Sequence, residues 1–195
     1  MNFTVELCER QEIRDFIETH HYSRNINGCI SDFCFKLLNE DKKIIGAMFF
    51  GRLAMRNQYK RFNEDESKVI ELRRLCCIDD TPKNTESFFI GRALRMLSKA
   101  WRKDGIVISY SDKEQGHFGT IYKASNFKQL EDISGAKVII YGEKQYHDKA
   151  IRTKYKGKLK PFAEKLKLAL ENGEARYKKT KGKCTFVYEL NRRIK

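Results

Sequence analysis

The sequence predicts an α+β (α/β) fold in which helices flank a mixed central sheet. Two observations predict it. Apolar residues recur at helical spacing in some segments and at strand spacing in others. These elements do not alternate as strict strand–helix units, which indicates mixed strand directions. The 195 residues are enough for one domain with its own core, and we expect a single domain over 1–195.

Each element is predicted from its apolar pattern and its flanking turn residues. The predicted helices span Glu9–Thr19, Glu86–Lys103, Gly119–Ser125 and Pro161–Glu171. The predicted strands span Val5–Leu7, Cys29–Leu38, Lys43–Gly51, Val69–Ile78, Ile106–Tyr110, Val138–Tyr141 and Cys184–Leu190. An Asn39–Lys42 turn joins the second and third strands as a hairpin.

Positive charge is concentrated in the last third of the chain. The formal net charge is +14, and residues 137–195 hold eighteen Lys/Arg against six Asp/Glu, a net of +12. Residues 1–136 are therefore close to neutral at +2. Aromatic residues interleave with these cations, which suits both phosphate contact and stacking on bases. We predict a near-neutral catalytic core and a basic C-terminal part that completes the fold and binds nucleic acid. The alternative is a solvated basic tail.

The N-terminus has acidic residues where a secretory signal would have basic and apolar ones. No long apolar span or amphipathic anchor is visible, so we expect a soluble cytoplasmic protein without a membrane partner. The six cysteines form no CxxC pair and read as reduced thiols, with Cys76 and Cys77 in the core. A catalytic thiol is a weaker alternative. Monomer and dimer are equally allowed.

A chemistry-rich stretch, SYSDKEQGHFGTIYKASNF, follows the strand predicted at Ile106–Tyr110. Asp112 comes just after the strand end, where substrate groups commonly lie in open sheets. His117 either positions substrate or caps the short helix. Tyr122 lies on that helix, and a phenol there can donate a proton to a leaving group or orient a base. We predict that this stretch closes a catalytic pocket.

A second candidate region is VIELRRLCCIDD followed by TPKNTESFFIGRALRML. A strand, a turn and a helix N-terminus form a usable anion site. Ser87 either caps this helix or contacts a phosphate. Glu71 and Arg73 share one strand face, which indicates either a site or a buried ion pair, whereas Arg73 and Arg74 should face opposite sides.

This layout resembles that of the GNAT acyltransferases. GTIYKASNF occupies the place of the family pattern A-x-x-x-Y-x-x-x-G-F, with Tyr122 and Phe127 in register and Asn126 at the glycine position. The family's R/Q-x-x-G-x-G/A signature is absent, and KNTESFFIGRA stands in its place. The resemblance implies a GNAT-like sheet and acyl-CoA (acetyl-CoA) or another small donor.

Five motifs together resemble the phage Mom family more closely. They are HYS at 21–23, ELRRL at 71–75, NTES at 84–87, SYSD at 109–112 and GHFGTIYKASNF at 116–127, within about residues 20–155. Mom proteins are GNAT-like enzymes that convert adenine in DNA to N6-carbamoylmethyladenine, which shields phage DNA from restriction nucleases. The resemblance therefore implies a phage-encoded enzyme acting on DNA in the host cytoplasm.

The Mom resemblance places His21, Arg74, Ser87, Asp112 and Tyr122 at functional positions of the family. Tyr22, Glu71, Asn84 and His117 are added from their places in the predicted loops, strand and helix. The predicted catalytic set is His21, Tyr22, Glu71, Asp112, His117 and Tyr122. The predicted donor-binding set is Arg74, Asn84 and Ser87. His21, Tyr22 and Asp112 are also candidate metal ligands, and the resemblance favours iron. The alternatives are a hydrogen-bonded cluster without metal, and a structural, buried imidazole at His21.

The target amine of adenine is paired inside duplex DNA, so the base must be flipped out or unpaired. The predicted DNA-binding residues are Arg52, Arg56, Lys60, Arg152, Lys154, Lys156 and Lys158. Two other functions stay open. One is a generic GNAT N-acyltransferase that acts on a protein or small-molecule amine. The other is a non-enzymatic nucleic-acid-binding protein.

Overall fold

The computed structural model describes residues 2–191 and has the predicted mixed fold class. The helices are α1 (Arg10–His20), α2 (Thr85–Ala100), α3 (Thr120–Ala124) and α4 (Pro161–Glu171). The strands are β1 (Thr4–Cys8), β2 (Phe33–Leu38), β3 (Ile44–Gly51), β4 (Val69–Cys77), β5 (Gly105–Asp112), β6 (Lys128–Ile133), β7 (Lys137–Tyr141), β8 (Lys144–His147), β9 (Lys154–Tyr155), β10 (Lys158–Leu159), β11 (Ala175–Lys179) and β12 (Lys183–Leu190). Within the described residues, no helix is long and apolar enough to cross a membrane.

Seven strands form one sheet in the order β1-β2-β3-β4-β5-β12-β6. Strands β1 to β4 are antiparallel neighbours, whereas β4 and β5 run parallel. Parallel neighbours need a crossover connection, and α2 provides it. The last strand, β12, lies between β5 and β6 in the large sheet.

The chain divides into two compact units. The first unit comprises described residues 2–111, 118–131 and 184–191 and holds α1, α2, α3 and most of the large sheet. The second unit comprises residues 112–117 and 132–183. It holds the three-stranded sheet β11-β7-β8, the hairpin β9–β10 and α4. Single-domain behaviour over the whole chain stays a prediction.

Both faces of the large sheet are buried. Side chains alternate along its strands and pack into one apolar cluster on each face. On β3, Met48 and Phe50 join the cluster that contains the buried residues of α2. Ala47 and Phe49, the alternate residues, join the cluster that contains those of α1. The buried helical positions follow the 3.6-residue period: Ile13 and Ile17 on α1, and Phe89, Ile90, Ala93, Leu94 and Leu97 on α2.

The second unit has a small core of its own, formed by Ile139, Leu166, Ala169 and Ala175. Its strands are mostly polar; in β11 only the first residue is buried. This explains why β6, β8, β9, β10 and β11 were not predicted, because a strand with few buried positions shows no apolar alternation. Glu114 ties the 112–117 segment into this unit by binding Lys178 and accepting the Lys181 N–H at 2.9 Å.

The largest differences from the predicted element boundaries are at the start of β2 and the end of α2, and β5 also continues to Asp112, which was predicted to follow the strand. Residues 29–32 lie outside β2, which begins at Phe33. Helix α2 ends at Ala100 rather than at Lys103. Arg102 takes a left-handed φ of 55°, a conformation that cannot continue a right-handed helix.

Gly119 is required by its surroundings, and this is testable. Its φ is +77°, and an added Cβ would lie 2.0 Å from the Phe186 ring, whereas Gly28 has a φ of +72° and open space. We expect Gly119→Ala to lower the free energy of unfolding by about 3 kcal/mol, because overpacking adds to backbone strain. Gly28→Ala should cost only about 1 kcal/mol. Urea unfolding compares them, and equal losses would contradict the steric argument.

Candidate active site

The large sheet is interrupted where β4 and β5 stop pairing. Their parallel register runs from Val69↔Ile106 to Leu72↔Ser109, although β4 continues to Cys77 and β5 to Asp112. The Ser109 hydroxyl donates a hydrogen bond to the Leu72 carbonyl at 3.2 Å, at the last paired position. Beyond it, the two strands present polar side chains at a break in the sheet, a usual place for a ligand in such folds.

A bulge in β4 corrects the expectation that Arg73 and Arg74 face opposite sides. The β3–β4 register shifts so that Phe49 pairs with Arg74 and Phe50 pairs with Leu72. Arg73 is the extra residue, and a bulge places successive side chains on one side of a strand. Both guanidinium groups accordingly reach the segment 25–29: Arg74 donates to the Asn25 carbonyl at 3.4 Å, and Arg73 to the Cys29 sulfur at 3.6 Å.

Glu71 and Arg73 form an ion pair on one face of β4, as predicted, with Nη1 and Oε2 3.3 Å apart. Their side chains are only 13% and 10% exposed, so removing one partner would cost about 3 kcal/mol. Arg73 also donates to the Arg52 carbonyl at 2.8 Å. Its Nε is buried and has no hydrogen-bond partner in the described residues. A bound molecule with an acceptor atom can satisfy this donor.

Tyr122 is buried in the apolar cluster that contains the buried residues of α2. Desolvation raises its pKa to about 12, opposed by a hydrogen bond with Ser109 and assisted by the charges of Tyr22 and Glu71. Its ring packs against Phe186 at a centroid distance of 5.1 Å. Tyr122 is therefore protonated at neutral pH, which suits a proton donor and not a base.

The structure adds Tyr110 and Gln58, which were not predicted as site residues. Gln58 Nε2 donates to the Tyr110 hydroxyl at 2.7 Å. Burial raises the pKa of Tyr110, the hydrogen bond from Gln58 lowers it, and the charge of Glu71 raises it. Gln58 Oε1 is buried and has no partner within residues 2–191. Their sequence signals were the SYSD motif and the polar loop after β3, but neither indicates the contact between them.

His21 ends α1 and is 7% exposed, as the structural alternative expected. Its Nδ1 accepts the Ser23 N–H at 3.1 Å and lies 2.8 Å from the Ser23 hydroxyl. A backbone N–H can only donate, so Nδ1 has the lone pair and Nε2 the proton. Its ring lies 4.3 Å from that of Tyr22, which is 49% exposed.

These residues do not fit the expected metal. A metal at His21 Nδ1 would compete with the Ser23 N–H, and a metal at Nε2 would force a proton onto Nδ1 against that same N–H. No group of three or more His, Cys, Asp or Glu side chains among residues 2–191 could hold a metal ion. We therefore derive no step through iron.

Arginines hold the loop that carries Tyr22. Arg10, at the start of α1, donates to the Cys29 carbonyl at 2.6 Å and to the Ile26 carbonyl at 2.7 Å. With the contacts from Arg73 and Arg74, three guanidinium groups bind one short loop. Arg10 and Arg74 donate to loop carbonyls, two of which also accept hydrogen bonds from within the loop, and these charged donors hold the loop in a defined conformation.

The predicted donor-binding residues separate into two places. Asn84 is the N-cap of α2 with a φ of 71° and no side-chain capping bond. The Ser87 hydroxyl donates to the Asn84 carbonyl at 3.0 Å, so it does not cap the N–H groups of the first turn. Those N–H groups suit an anion. Arg74 contacts Asn25 instead.

Asp112 and His117 belong to the second unit. The Asp112 carboxylate accepts the Glu114 N–H at 2.9 Å and thereby caps a short turn, and the His117 N–H donates to the Asp112 carbonyl at 3.2 Å. His117 is exposed. The catalytic roles of both residues stay predictions.

The predicted DNA-binding residues are all exposed and lie in two segments. Arg52, Arg56 and Lys60 follow β3 in the first unit. Arg152, Lys154, Lys156 and Lys158 lie in and before the β9–β10 hairpin of the second unit.

Cys76 and Cys77 are half-buried and pack against the two apolar clusters of the large sheet. None of the six cysteines forms a disulfide in the described chain. Burial raises the pKa of Cys76 and Cys77 to about 12, so both stay thiols at neutral pH. This weakens the thiol-catalysis alternative, because the thiolate is the nucleophile.

Comparison with known proteins gives the family. The sequence profile of the Mom protein family matches residues 2–195. The protein belongs to the Mom family. It is 29% identical over 137 residues to the methylcarbamoylase Mom of Escherichia phage Mu, an alignment that spans 69% of this chain and 56% of that protein. This Mom family chain thus spans little more than half of that relative's length.

Solved structures show the GNAT fold. An acetyltransferase from Bacillus subtilis in complex with CoA is similar at a TM-score of 0.52, over 97% of this chain and 100% of that one. Spermidine N-acetyltransferase from Vibrio cholerae, in complex with CoA and spermine, is similar at 0.54, over 97% and 96%. Sequence identity is 10% in both cases, so the likeness concerns the fold alone. The predicted GNAT-like fold and Mom family membership are confirmed.

The raised pKa of Tyr122 predicts that the free energy of unfolding falls at alkaline pH. Its pKa in the folded protein lies above the ordinary value of 10.0, so burial of the neutral phenol stabilises the fold fully below pH 10 and this stabilisation is lost as pH rises toward 12. We expect the wild type to lose more unfolding free energy than Tyr122→Phe across this window. Urea unfolding at several pH values measures it, and parallel curves would contradict it.

Proposed function

We propose that this Mom family protein is a phage DNA-modification enzyme that converts adenine in DNA to N6-carbamoylmethyladenine and so protects phage DNA from restriction in the host cytoplasm. The observation that carries the proposal is the family match over residues 2–195. The name of the phage Mu relative, a methylcarbamoylase, agrees with transfer of such a group. The buried acid–tyrosine cluster in the first unit supplies groups suited to it.

In the proposed reaction, a bond forms between adenine N6 and the carbon of the transferred group. The bond between that carbon and its leaving atom breaks, and the electron pair stays with the leaving atom. Glu71 takes the proton lost by N6, and Arg73, 3.3 Å away, stabilises its carboxylate before transfer. Tyr122, protonated because its pKa is raised to about 12, gives its proton to the leaving atom.

The orphaned polar atoms support a polar substrate at this cluster. Gln58 Oε1 is an acceptor and Arg73 Nε a donor, and both are buried without partners in the described chain. The edge of adenine presents an amino donor beside a ring-nitrogen acceptor, which is the complementary pair. We propose that Gln58 and Arg73 bind the base, while Tyr22 borders it.

The proposed donor is a small molecule with an anionic handle, such as a CoA-type carrier, in which the methylene carbon of the carbamoylmethyl group is bonded to the leaving atom. A simple acyl-CoA would leave an N6-acyl group instead of N6-carbamoylmethyladenine. When bound, the donor supplies the electrophilic carbon. The α2 N-terminus at Asn84 and Ser87 fits a phosphate, because no side chain of the N-cap occupies the first-turn N–H groups. The fold relatives crystallised with CoA are consistent with this class.

Activity in bacteria tests the proposal. We expect cells that express the wild type to contain a deoxyadenosine heavier by one carbamoylmethyl group, detected by mass spectrometry of nucleosides. Tyr122→Phe should lower its amount about a hundredfold, because it removes the proton donor and keeps the ring. The matched control is Tyr188→Phe, which removes a hydroxyl from a ring packed 5.2 Å from Phe127 in the same core.

The outcomes separate the alternatives. Equal loss in Tyr122→Phe and Tyr188→Phe would reduce the Tyr122 role to packing. Asp112→Asn keeps the oxygen that caps the turn and removes the charge, so its loss of activity would support the predicted catalytic role of Asp112. Saturable acetyl-CoA turnover on a small amine, with no DNA affinity, would favour the generic acyltransferase.

DNA binding should depend steeply on salt. We expect Arg56→Ala with Lys60→Ala to reduce the slope of log K against log salt for duplex DNA by about 1.8, roughly 0.9 for each phosphate that is no longer neutralised. The charge-matched control is Lys42→Ala with Lys43→Ala in the turn between β2 and β3. Fluorescence anisotropy at several salt concentrations measures both. The same slope in both double variants would place the DNA face elsewhere.

A further inference from the structure

The β9–β10 hairpin has an unusual surface for so small an element. Tyr155 is 65% exposed, although a tyrosine ring normally buries most of its area. Residues 152–160 hold five Lys/Arg and no Asp/Glu. The whole second unit, residues 112–117 and 132–183, holds sixteen Lys/Arg against eight Asp/Glu, a net of +8.

The hairpin has a tight, regular turn at its tip. Its two-residue turn is Lys156–Gly157, and both residues have positive φ, 48° and 81°. This is the type I′ turn that matches the twist of the paired strands. The Lys160 N–H donates to the Thr153 carbonyl at 2.9 Å and closes the base of the hairpin. The tip therefore presents its side chains in defined directions.

The register places cations around the Tyr155 ring. Tyr155 pairs directly with Lys158, so both side chains lie on one face of the hairpin. Lys156 Nζ lies 5.6 Å from the centre of the ring. An aromatic ring with two lysines beside it matches a base and the neighbouring phosphates of one strand.

An open cavity of about 890 Å³ lies beside the ring, within the second unit. Tyr155, Leu159, Pro161 and Phe162 form its apolar lining, and Lys158 and Lys160 supply charge. Phe162 is 45% exposed and is supported from behind by Tyr146, with ring centroids 5.1 Å apart. An apolar floor rimmed by cations is too charged for self-association and complementary to a flat apolar group on a polyanion.

We propose that this cavity, which we name the Tyr155 cleft, binds an unpaired nucleotide of a DNA strand. Its base stacks on Tyr155, and its neighbouring phosphates contact Lys156 and Lys158. A base paired in duplex DNA cannot stack on the Tyr155 ring, because the neighbouring base pairs already cover both faces of that base. The cleft thus distinguishes opened or single-stranded DNA from duplex DNA. It does not depend on the proposed reaction, because its residues take no part in it.

Binding of a short single-stranded DNA oligonucleotide tests the cleft. We expect Tyr155→Ala to weaken the affinity about tenfold or more, because a base–aromatic stack is removed, without changing the salt dependence. Lys156→Ala with Lys158→Ala should reduce the salt slope by about 1.4, roughly 0.7 for each phosphate contact on a single strand. Tyr155→Phe should bind like the wild type, since stacking needs only the ring.

Matched controls come from the same unit. Tyr177 is 44% exposed with Lys137 Nζ 3.6 Å from its ring centre, but it does not line the cleft. Tyr177→Ala should leave the affinity unchanged. The double variant Lys165→Ala with Lys167→Ala, on α4, should change the salt slope of binding less than Lys156→Ala with Lys158→Ala does. An oligonucleotide with 2-aminopurine should lose fluorescence on binding the wild type and keep it with Tyr155→Ala.

Three results would overturn the proposal. The first is an unchanged single-strand affinity in Tyr155→Ala. The second is a higher affinity for an RNA oligonucleotide than for the DNA oligonucleotide of the same sequence, when the RNA affinity also depends on Tyr155. The third is Tyr155-dependent binding to phosphatidylserine vesicles with no effect on DNA, which would make the hairpin a lipid contact. Nucleoside masses from the same variants are independent, so an inactive enzyme with intact Tyr155-dependent binding would refute only the reaction.

Discussion

The candidate active site depends on one constraint, the early end of pairing between β4 and β5. The strands pair through Leu72 and Ser109 and then continue without each other. Unpaired strand ends can present side chains at the middle of a sheet, where solvent is largely excluded. At the last paired position, the Ser109 hydroxyl donates a hydrogen bond to the Leu72 carbonyl and also hydrogen-bonds with Tyr122. Burial there keeps Tyr122 protonated.

A second constraint is the bulge at Arg73. It turns two successive arginines to one side of β4. There they donate hydrogen bonds to the loop of residues 21–29, which also accepts hydrogen bonds from Arg10. The loop carries His21 and Tyr22, so its conformation is coupled to the strand that bears Glu71. A regular strand would have sent one arginine into the apolar cluster around α2, at a high cost in desolvation.

The basic charge has a structural division of its own. The first unit contains Tyr110, Tyr122 and the Glu71–Arg73 ion pair, whereas the second contains most of the C-terminal lysines around a small apolar core. Such a small unit buries few residues, so its surface is free to be polar. This is why charge counting located the basic part and hydrophobic periodicity missed most of its strands.

The sequence by itself determined the fold class, the main helices, the strands of the large sheet other than β6, and the family, because these depend on apolar periodicity and on linear motifs. It also indicated Tyr122 and the Glu71–Arg73 pair. The tertiary structure alone decided the rest. Gln58 and Tyr110 are 52 positions apart and meet only because the loop after β3 returns to β5. The bulge reverses the side that Arg74 faces, and the tautomer of His21 follows from the Ser23 N–H. Strand register and hydrogen bonds between distant segments leave no periodic signal in a chain.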